Sequence, residues 1–408
     1  MTNPGSQPLP AVRRLRHCMI VDNSYPDPRV EREARALVLR GHSVDVICAR
    51  AGREPAREVI EGVTAHRLPV RRRRGAGLVS QLLEYALFTG WAAAKLMLLD
   101  ARRRYDVVQV HNVPDFLVAA ALPARLRGAR VVLDLHDLMP EFYASRFGGR
   151  LDSLPVRLVR FQERCSAVLA DRIITVTRLW RETLIRRGRD PSKVSVVMNL
   201  PDEDLYVRRE PRLGERGAVH VIYHGTLTHR YGVDLLVRAL AVARERIPLR
   251  ATIHGRGELT DDLRELIGEL GLADVVRLST TRLHATDLAE MIAEADIGVV
   301  PNRNDVFTDG ILPTKLMEYA GLGVPAVVAR SSATTDYFDE TMVRYVEPGD
   351  VAAMADAIVD LAMDPDGRRG MAVRAQSFTA SHPWSAEAAR YVSMIEDLAA
   401  RGRRAPHS

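Results

Sequence analysis

Residues 219–232 read VHVIYHGTLTHRYG, a short β-rich run followed by a turn of small and polar residues and, near Val233, by a helical pattern. A strand that passes through a tight turn into a helix is the repeating unit of a parallel sheet with helical crossovers. Further apolar runs follow at the same rhythm: RATIHG, DVVRLS, DIGVVP and VPAVVA. This half of the chain is therefore predicted to be a doubly wound α/β domain.

The N-terminal half repeats the pattern. Its apolar runs are HCMIV, VDVICA, DVVQVH, RVVLDLH, RIITVT and VSVVM, each followed by a stretch with helical period. We predict an N-terminal domain over residues 1–200, a linker at 201–217, a second domain at 218–383 and a helix at 384–408 that closes the second domain or crosses back to the first. Open parallel sheets bind ligands beyond the carboxyl ends of their strands, so a site is expected in the cleft between the domains.

Composition excludes several classes of protein. The 408 residues are 47% hydrophobic and 27% charged, which is ordinary globular composition. The net charge of +6 is mildly basic, but only three of the 58 basic residues are lysine, so the arginine abundance is a general bias and predicts no nucleic-acid partner. Three widely spaced cysteines support neither a disulfide framework nor a zinc site, and no secretory signal is visible, so a cytoplasmic location is expected.

Two segments of the second domain have the chemistry of an anion site. In the turn, Gly225 and Thr226 let backbone N–H groups approach a phosphate, and Arg230 can add a charge-assisted contact. In PTKLMEYAGLG, Lys315 and Glu318 leave the same face of a predicted helix that begins near Pro313, and Thr314 is a further donor-binding candidate beside them. A lysine there suits a phosphate and a carboxylate suits the hydroxyls of a ribose. The alternatives are a tight turn with a solvated arginine and a surface ion pair.

These residues also carry a resemblance. YPDPRVEREARALVLRGHSVDVI, HDLMPEFY, HGTLTHRYG and PTKLMEYAGLGVPAVV, in this order, resemble the GT4 family of retaining glycosyltransferases, and the PTK tripeptide resembles the branch with PTK or PNK before the glutamate. The resemblance implies two Rossmann-like domains facing a cleft (the GT-B fold), a nucleotide diphosphate sugar bound mainly by the second domain, and no required metal or other cofactor. It also implies that Lys315 faces the diphosphate and Glu318 the ribose.

The sequence departs from the family pattern at two places. The first of two glutamates spaced eight residues apart would fall at Gly310, and Asp309 beside it is the candidate replacement at the catalytic centre. The family's phosphate-binding arginine and lysine would fall at Thr226 and Tyr231, so Arg230 is the substitute cation.

The N-terminal domain supplies candidates for the other side of the cleft. His136 begins HDLMPE after a strand and resembles the family's histidine near the anomeric carbon, which makes it a catalytic candidate; His111 is its rival. Candidate acceptor contacts are Asp137 and Glu141, although either could cap the helix that follows. Arg29 is a candidate phosphate contact, or alternatively a solvated arginine of a first helical turn.

A membrane contact is expected from residues 71–104. Four arginines precede an apolar helical stretch with Tyr85 and Trp91, which would suit an anionic lipid surface. The apolar run 86–99 is predicted to be too short to span a bilayer, so the protein would be peripheral on the inner face of the membrane. The alternative is a helix packed on the first sheet beside a solvated basic loop.

The sequence therefore predicts a retaining hexosyltransferase that moves a sugar from a nucleotide diphosphate sugar to a glycan or lipid-linked acceptor, in cell-surface polysaccharide or glycolipid synthesis. Two alternatives stay open: a nucleotide-sugar epimerase on the same fold, and a non-catalytic nucleotide-sugar-binding subunit. The pair Asp202 and Asp204 has the spacing of a metal-binding DxD, but it lies in the linker and is interpreted as chance.

Overall fold

The computed structural model describes residues 13–70, 78–206 and 217–401. The first domain has the strands β1 (Arg16–Val21), β2 (Ser43–Ala49), β3 (Arg57–Ile60), β4 (Val63–Leu68), β5 (Val107–His111), β6 (Arg130–Leu135), β7 (Arg172–Thr175) and β8 (Val194–Val196). Its helices are α1 (Pro28–Leu39), α2 (Leu78–Arg102), α3 (Leu122–Leu126), α4 (Met139–Phe147), α5 (Leu154–Val168) and α6 (Arg178–Arg186). The sheet order is β3-β4-β2-β1-β5-β6-β7-β8, and every pairing except the β3–β4 hairpin is parallel.

The second domain begins with β9 (Val219–His224) and contains β10 (Leu249–His254), β11 (Val276–Ser279), β12 (Ile297–Val300), β13 (Ala326–Ala329) and β14 (Arg344–Val346). Its helices are α7 (Val233–Ala243), α8 (Thr260–Glu269), α9 (Ala285–Ala293), α10 (Thr314–Leu322), α11 (Ser332–Tyr337), α12 (Val351–Met363) and α13 (Pro365–Ser381). The strand order β11-β10-β9-β12-β13-β14 is parallel throughout. The predicted fold class, two doubly wound parallel-sheet domains, is confirmed.

Buried side chains explain the parallel sheets. The strands are apolar on both faces, as crossover helices on both sides require, and Ile20, Val110 and Leu133 are fully buried in the first domain. Helix starts follow local chemistry: α1 begins at Pro28, where the carboxylate of Asp27 accepts from the amides of Arg29 and Val30. The first turn of α1 is thereby fixed at the carboxyl end of β1.

The last helix, α14 (Trp384–Arg401), packs on the first domain. Its residues Tyr391, Val392 and Ile395 share a buried cluster with strands β1 and β2. The Tyr391 hydroxyl donates to Oε1 of Gln109 at 2.7 Å, and Oε1 of Glu387 accepts from the amide of Met198 at 3.1 Å. The end of the described chain therefore completes the core of the domain with which the chain begins.

The two domains are also in direct contact. Phe307 of the second domain is buried in the core of the first, 5.8 Å between ring centroids from Trp180. The hydroxyl of Thr177 donates to the carbonyl of Gly310 at 3.3 Å, and Arg178 pairs with Asp336 at 2.9 Å. These contacts place the carboxyl ends of both sheets around one cleft.

Helix α2 is longer than the apolar run 86–99 suggested. Among the described residues it is the one helix that, by length and composition, could cross a membrane, over Ser80–Arg102. The expectation of a stretch too short to span is therefore wrong on length. One face of α2, with Phe88, Ala92 and Leu96, is fully buried against the first sheet, so this helix is built into the domain.

Candidate functional site

The glycine turn after β9 packs against the turn after β10. A Cβ on Gly255, whose φ is +153°, would lie 1.8 Å from the carbonyl oxygen of Gly225, and a Cβ on Gly257 would lie 2.0 Å from that of Leu227. The amides of Gly225 and Leu227 donate to the carbonyls of His254 and Arg256 at 2.9 and 3.0 Å. The glycines of HGRGE thus let two loops meet and fix the turn. Because the Gly225 amide donates to His254, the expectation that it donates to a phosphate is wrong, and a phosphate contact by the amide of Thr226 stays a prediction.

Lys315 is buried beside this turn. Only 7% of the residue is exposed, and Nζ donates to the Tyr223 hydroxyl at 3.2 Å and lies 4.4 and 4.9 Å from the ring centroids of Tyr223 and Tyr231. Burial lowers the pKa of Lys315 to about 7, although the charge of Glu318 opposes the shift. A surface ion pair, the alternative interpretation, is therefore wrong for this lysine.

Glu318 lies one helical turn further along α10. Its Oε2 is 3.1 Å from Nε2 of His224, the last residue of β9, but neither atom has an aligned hydrogen-bond partner among the described residues. Burial raises the pKa of Glu318, while Arg32 of the first domain and a hydrogen bond from Tyr206 oppose that rise. Burial lowers the pKa of His224 to about 3, so its imidazole is neutral. A buried histidine and a partly buried carboxylate with spare hydrogen-bonding capacity suit a polar ligand.

Arg230 lies at the interface of the domains. Its guanidinium is 5.0 Å from the ring centroid of Phe142 and 5.1 Å from that of Phe307, and within the described part of the chain it makes no ion pair. With Thr226 and Tyr231 it lines an interdomain cavity of about 670 Å³. Two aromatic rings thus hold a cation whose N–H groups remain available to an anion.

On the N-terminal side, His136 and Asp137 line a neighbouring cavity of about 280 Å³. Nδ1 of His136 is buried and has no hydrogen-bond partner within the described ranges. Burial lowers the pKa of His136 and raises that of Asp137, which also senses the charge of Arg230 across the cleft. The structure therefore brings His136 and Asp137 close to the cation predicted for the donor.

Arg29 does not have the role predicted for it. Its guanidinium binds both oxygens of Asp134, at 2.7 and 3.0 Å, and also donates to the carbonyl of Val197 and to Oδ1 of Asn199, with Glu33 at 3.1 Å. Because its N–H groups are used inside the protein, Arg29 is not a phosphate contact. It instead fixes α1 to β6 and to the start of the linker.

His111 belongs to the same network. Its Nδ1 lies 3.0 Å from Oδ2 of Asp134 and the residue is fully buried. Burial alone would lower the pKa of His111, but Asp134 and Glu33 raise it. By spacing, His111, Asp134 and His136 could hold a metal ion, since their ligand atoms lie within 4.8 Å of one another. Arg29, however, already supplies the positive charge at Asp134.

Glu141 is also assigned differently by the structure. Its Oε1 accepts from Arg187, which pairs with Glu163 at 2.8 Å as well, so the carboxylate joins α4 to α5 and α6. The residue is buried, and it is absent from the lining of the cavity that contains His136. The expectation that Glu141 contacts an acceptor is therefore wrong, because its charge is used to hold α4.

The packing around Gly310 explains why the first glutamate of the family pattern is absent from this chain. A Cβ on Gly310 would lie 1.8 Å from Nε1 of Trp180, so this interdomain contact excludes any side chain. Oδ1 of Asp309 accepts from the amide of Ser332 at 2.8 Å and from Asn304 at 3.3 Å, which ties the loop to the start of α11. A sugar contact by Asp309 stays a prediction. Thr314 is exposed at the first turn of α10.

Sequence reasoning missed the aromatic residues of the site. Tyr223 and Tyr231 surround Lys315, and Phe142 and Phe307 hold Arg230. Tyr223 was visible as a large side chain just before the glycine turn, and Phe142 lies within HDLMPEFY. The predicted linker carboxylates have a local role, since Oδ1 of Asp202 accepts from the amide of Asp204 at 3.0 Å.

Fold and site together define a glycosyltransferase with the GT-B architecture. Residues 26–199 match the model of the "Glycosyl transferase 4-like domain" and residues 218–364 that of "Glycosyl transferases group 1". The chain therefore belongs to the GT4-type glycosyltransferases, and the resemblance seen in the sequence is confirmed at that level.

Two relatives illustrate the sequence similarity. A D-inositol 3-phosphate glycosyltransferase of Thermobispora bispora is 27% identical over 402 residues, which cover 91% of this chain and 89% of the relative. A GDP-mannose-dependent alpha-(1-6)-phosphatidylinositol monomannoside mannosyltransferase of Mycolicibacterium smegmatis is 30% identical over 213 residues, which cover 50% of this chain and 55% of the relative.

Solved structures share the fold. Sucrose-phosphate synthase from Thermosynechococcus elongatus superposes with a TM-score of 0.76 at 16% identity, over 95% of this chain and 100% of the other. Anabaena HepE in complex with UDP-glucose superposes with a TM-score of 0.68 at 16% identity, over 94% of this chain and 100% of the other.

Proposed function

We propose that the protein transfers a hexose-type sugar from a nucleotide diphosphate sugar to a glycan or lipid-linked acceptor, with retention of the anomeric configuration. The observation that carries the proposal is a pair of cations, Lys315 and Arg230, that lack a carboxylate partner within ion-pair distance among the described residues. Burial of an uncompensated cation costs free energy. An anionic ligand such as a diphosphate would supply the compensation.

The donor would lie with its diphosphate at Lys315, Arg230 and Thr226, of which Arg230 and Thr226 line the interdomain cavity. Glu318 would accept hydrogen bonds from the ribose, since its Oε2 has no aligned partner among the described residues. The Anabaena structure was solved with UDP-glucose and has the same fold, which supports a nucleotide-sugar ligand in the cleft. The relative named as a GDP-mannose-dependent mannosyltransferase supports a hexose as the transferred group.

The reaction would depend on stabilisation of the leaving diphosphate. As the glycosidic bond breaks, negative charge grows on the phosphate oxygens, and the two cations are placed to stabilise it. The acceptor hydroxyl attacks from the face that the diphosphate leaves, and a phosphate oxygen takes its proton. His136 is neutral because burial lowers its pKa, so Nδ1 can accept a hydrogen bond from a sugar hydroxyl near the anomeric carbon. We propose that no metal is required.

The location follows from the surface and the cysteines. We propose a cytoplasmic protein bound to the inner face of the membrane through 71–104, of which 71–77 lie outside the described residues. The side of α2 that faces away from the sheet carries exposed Leu83, Leu87, Trp91 and Leu98. Cys18 and Cys48 are free thiols in the core, which agrees with a reducing compartment.

The test begins with a thermal-shift panel of nucleotide diphosphate sugars. The donor that stabilises the protein is then supplied in radiolabelled form. It is incubated with the protein, EDTA and membrane extracts, which serve as a source of acceptors. We expect a labelled product with the donor's anomeric configuration. Its formation should be lost in Lys315→Met, strongly reduced in Arg230→Gln, and unchanged in the surface control Lys193→Met.

Three results would contradict the proposal. Isomerisation of the donor without an acceptor would favour an epimerase, although both matched family models are those of glycosyl transferases. An inverted product, or activity only without EDTA, would refute the retaining or the metal-independent part.

A further inference from the structure

An apolar cavity of about 310 Å³ lies between α2, α4 and α5. Its wall is mostly hydrocarbon. The lining includes Leu82, Phe116, Phe147, Leu158 and Val159. Phe116 belongs to the 3-10 helix Asp115–Ala121, and its ring packs edge-on against Tyr85 of α2 with centroids 6.4 Å apart. A space with such walls suits a hydrocarbon chain.

The cavity opens on an apolar surface. On α5, Leu154, Leu158, Phe161 and Val168 are 68, 61, 66 and 70% exposed, and their spacing of four, three and seven residues places them on one face of the helix. Leu82 of α2 and Phe147 at the end of α4 are exposed as well and line the same cavity. Monomeric soluble proteins rarely expose apolar residues so contiguously, so this surface indicates contact with an apolar phase.

The basic residues of α5 indicate which apolar phase this surface contacts. Arg157 and Arg164 are exposed on α5 between the apolar positions. Basic residues beside an exposed apolar helix face suit an interface with anionic lipid headgroups. A protein partner would not require this combination, so a lipid bilayer is the occupant that the surface favours.

The apolar cavity is connected with the reaction centre. It shares Phe142 and Arg146 with both the cavity that contains His136 and the interdomain cavity that contains Arg230. Arg146 thus lies where the three spaces meet. Its guanidinium lies 5.9 Å from the ring centroid of Phe147 and makes no ion pair with any described residue. An arginine in this position is suited to bind an anionic group at the end of a hydrocarbon chain.

We propose that the acceptor is an amphiphile with a phosphate or diphosphate group, whose hydrocarbon chain occupies the cavity between α2, α4 and α5 and whose anionic group binds Arg146. The exposed faces of α2 and α5 dock on the bilayer from which the chain enters. The acceptor hydroxyl then lies between Arg146 and the donor site. This inference rests on the proposed transferase function and specifies its acceptor class.

The first experiment measures binding of n-alkyl phosphates below their micelle concentrations to the full-length protein by calorimetry. From hexyl to decyl phosphate we expect affinity to rise up to about fourfold per added methylene, while inorganic phosphate binds far more weakly. Arg146→Gln should reduce the affinity for all chain lengths. Val159→Trp, which fills the cavity, should remove the dependence on chain length. Arg157→Gln, an exposed cation of the same helix that does not line the cavity, is the matched control and should change neither.

The second experiment measures flotation with phosphatidylcholine vesicles that contain phosphatidylglycerol. Phe161→Gln with Leu154→Gln should reduce vesicle binding at least tenfold, whereas Leu39→Gln, equally apolar and exposed on α1, should not. The inference would be overturned if the affinity for alkyl phosphates did not depend on chain length. It would also be overturned if Arg146→Gln and Val159→Trp both left that affinity unchanged. Nucleotide-sugar binding is measured separately, so such a result would leave the proposed function standing. If the protein bound neither nucleotide sugars nor alkyl phosphates, both the proposed function and this inference would be refuted.

Discussion

The low pKa of Lys315 makes donor binding dependent on pH. In the ligand-free protein burial lowers this pKa from 10.5 to about 7, so above neutral pH the amine is mostly uncharged. A diphosphate beside Nζ favours the charged form, so binding takes up a proton. Apparent affinity should therefore fall by about tenfold for each pH unit above 7, until the pKa of the complex is reached.

The assay is calorimetric titration with the nucleotide sugar that stabilises the protein, between pH 6 and 9.5. Both phosphates of such a donor are diesters and remain ionised over this range, so the change reports the protein. Repeating the titration in buffers of different ionisation enthalpy counts the protons taken up. Lys315→Arg, charged at every pH, should flatten the profile.

A flat pH profile in the unaltered protein, with no proton uptake at pH 8, would refute the reasoning. The free protein offers an independent check of the sign. Between pH 7 and the ordinary lysine range the unfolded chain binds the proton that the folded state lacks, so Lys315 contributes an increase in stability as pH rises. We expect Lys315→Met to lack this increase when the free energy of unfolding is measured by urea denaturation at several pH values.

Three further predictions concern the contacts around the site. Arg230→Gln should reduce kcat/KM for the donor about ten- to a hundredfold, the size of a charged hydrogen bond, with the melting temperature nearly unchanged. Gly310→Glu, which restores the family residue, should lower the free energy of unfolding by at least about 1–3 kcal/mol in urea denaturation, because its Cβ would overlap the Trp180 indole. Arg29→Met should cost about 3–5 kcal/mol in the same measurement, because Asp134 and Glu33 would lose their guanidinium partner in the core.

Each of the two stability predictions has a control. Gly268→Glu, on a helix with open space around its Cβ, should leave stability nearly unchanged. Arg35→Met removes an exposed arginine of α1 whose carboxylate neighbours are 3.7 and 3.8 Å away, and should cost less than about 1 kcal/mol. A loss in Arg35→Met as large as that in Arg29→Met would show that the buried pair is not the cause.

Local patterns predicted the architecture because parallel strands are short apolar runs with helices between them. All eleven predicted runs are strands. The β3–β4 hairpin at 57–68 was missed because REVIEGVTAHRL intersperses charged residues with β-branched ones on an edge of the sheet. Strand β14 was missed because its sequence, RYV, contains an exposed arginine and forms no apolar run.

The site was predictable only where its residues are close in sequence. Lys315 and Glu318 share a helix, so their spacing predicted a common face. Arg29 was assigned wrongly because its partner Asp134 is 105 residues away, and the sequence does not show which acid will reach it. Likewise, nothing local indicates that Trp180 excludes a side chain at Gly310. Long-range packing decided each of these roles.

The position of α14 has a consequence for biosynthesis. Strands β1 and β2 leave the ribosome before the second domain, yet the apolar surface that Tyr391, Val392 and Ile395 cover stays exposed until the whole second domain has been translated. The N-terminal lobe is therefore a discontinuous folding unit, and a fragment that stops at the linker would lack part of its own interior. Nascent chains of this protein should need chaperone protection until α14 emerges.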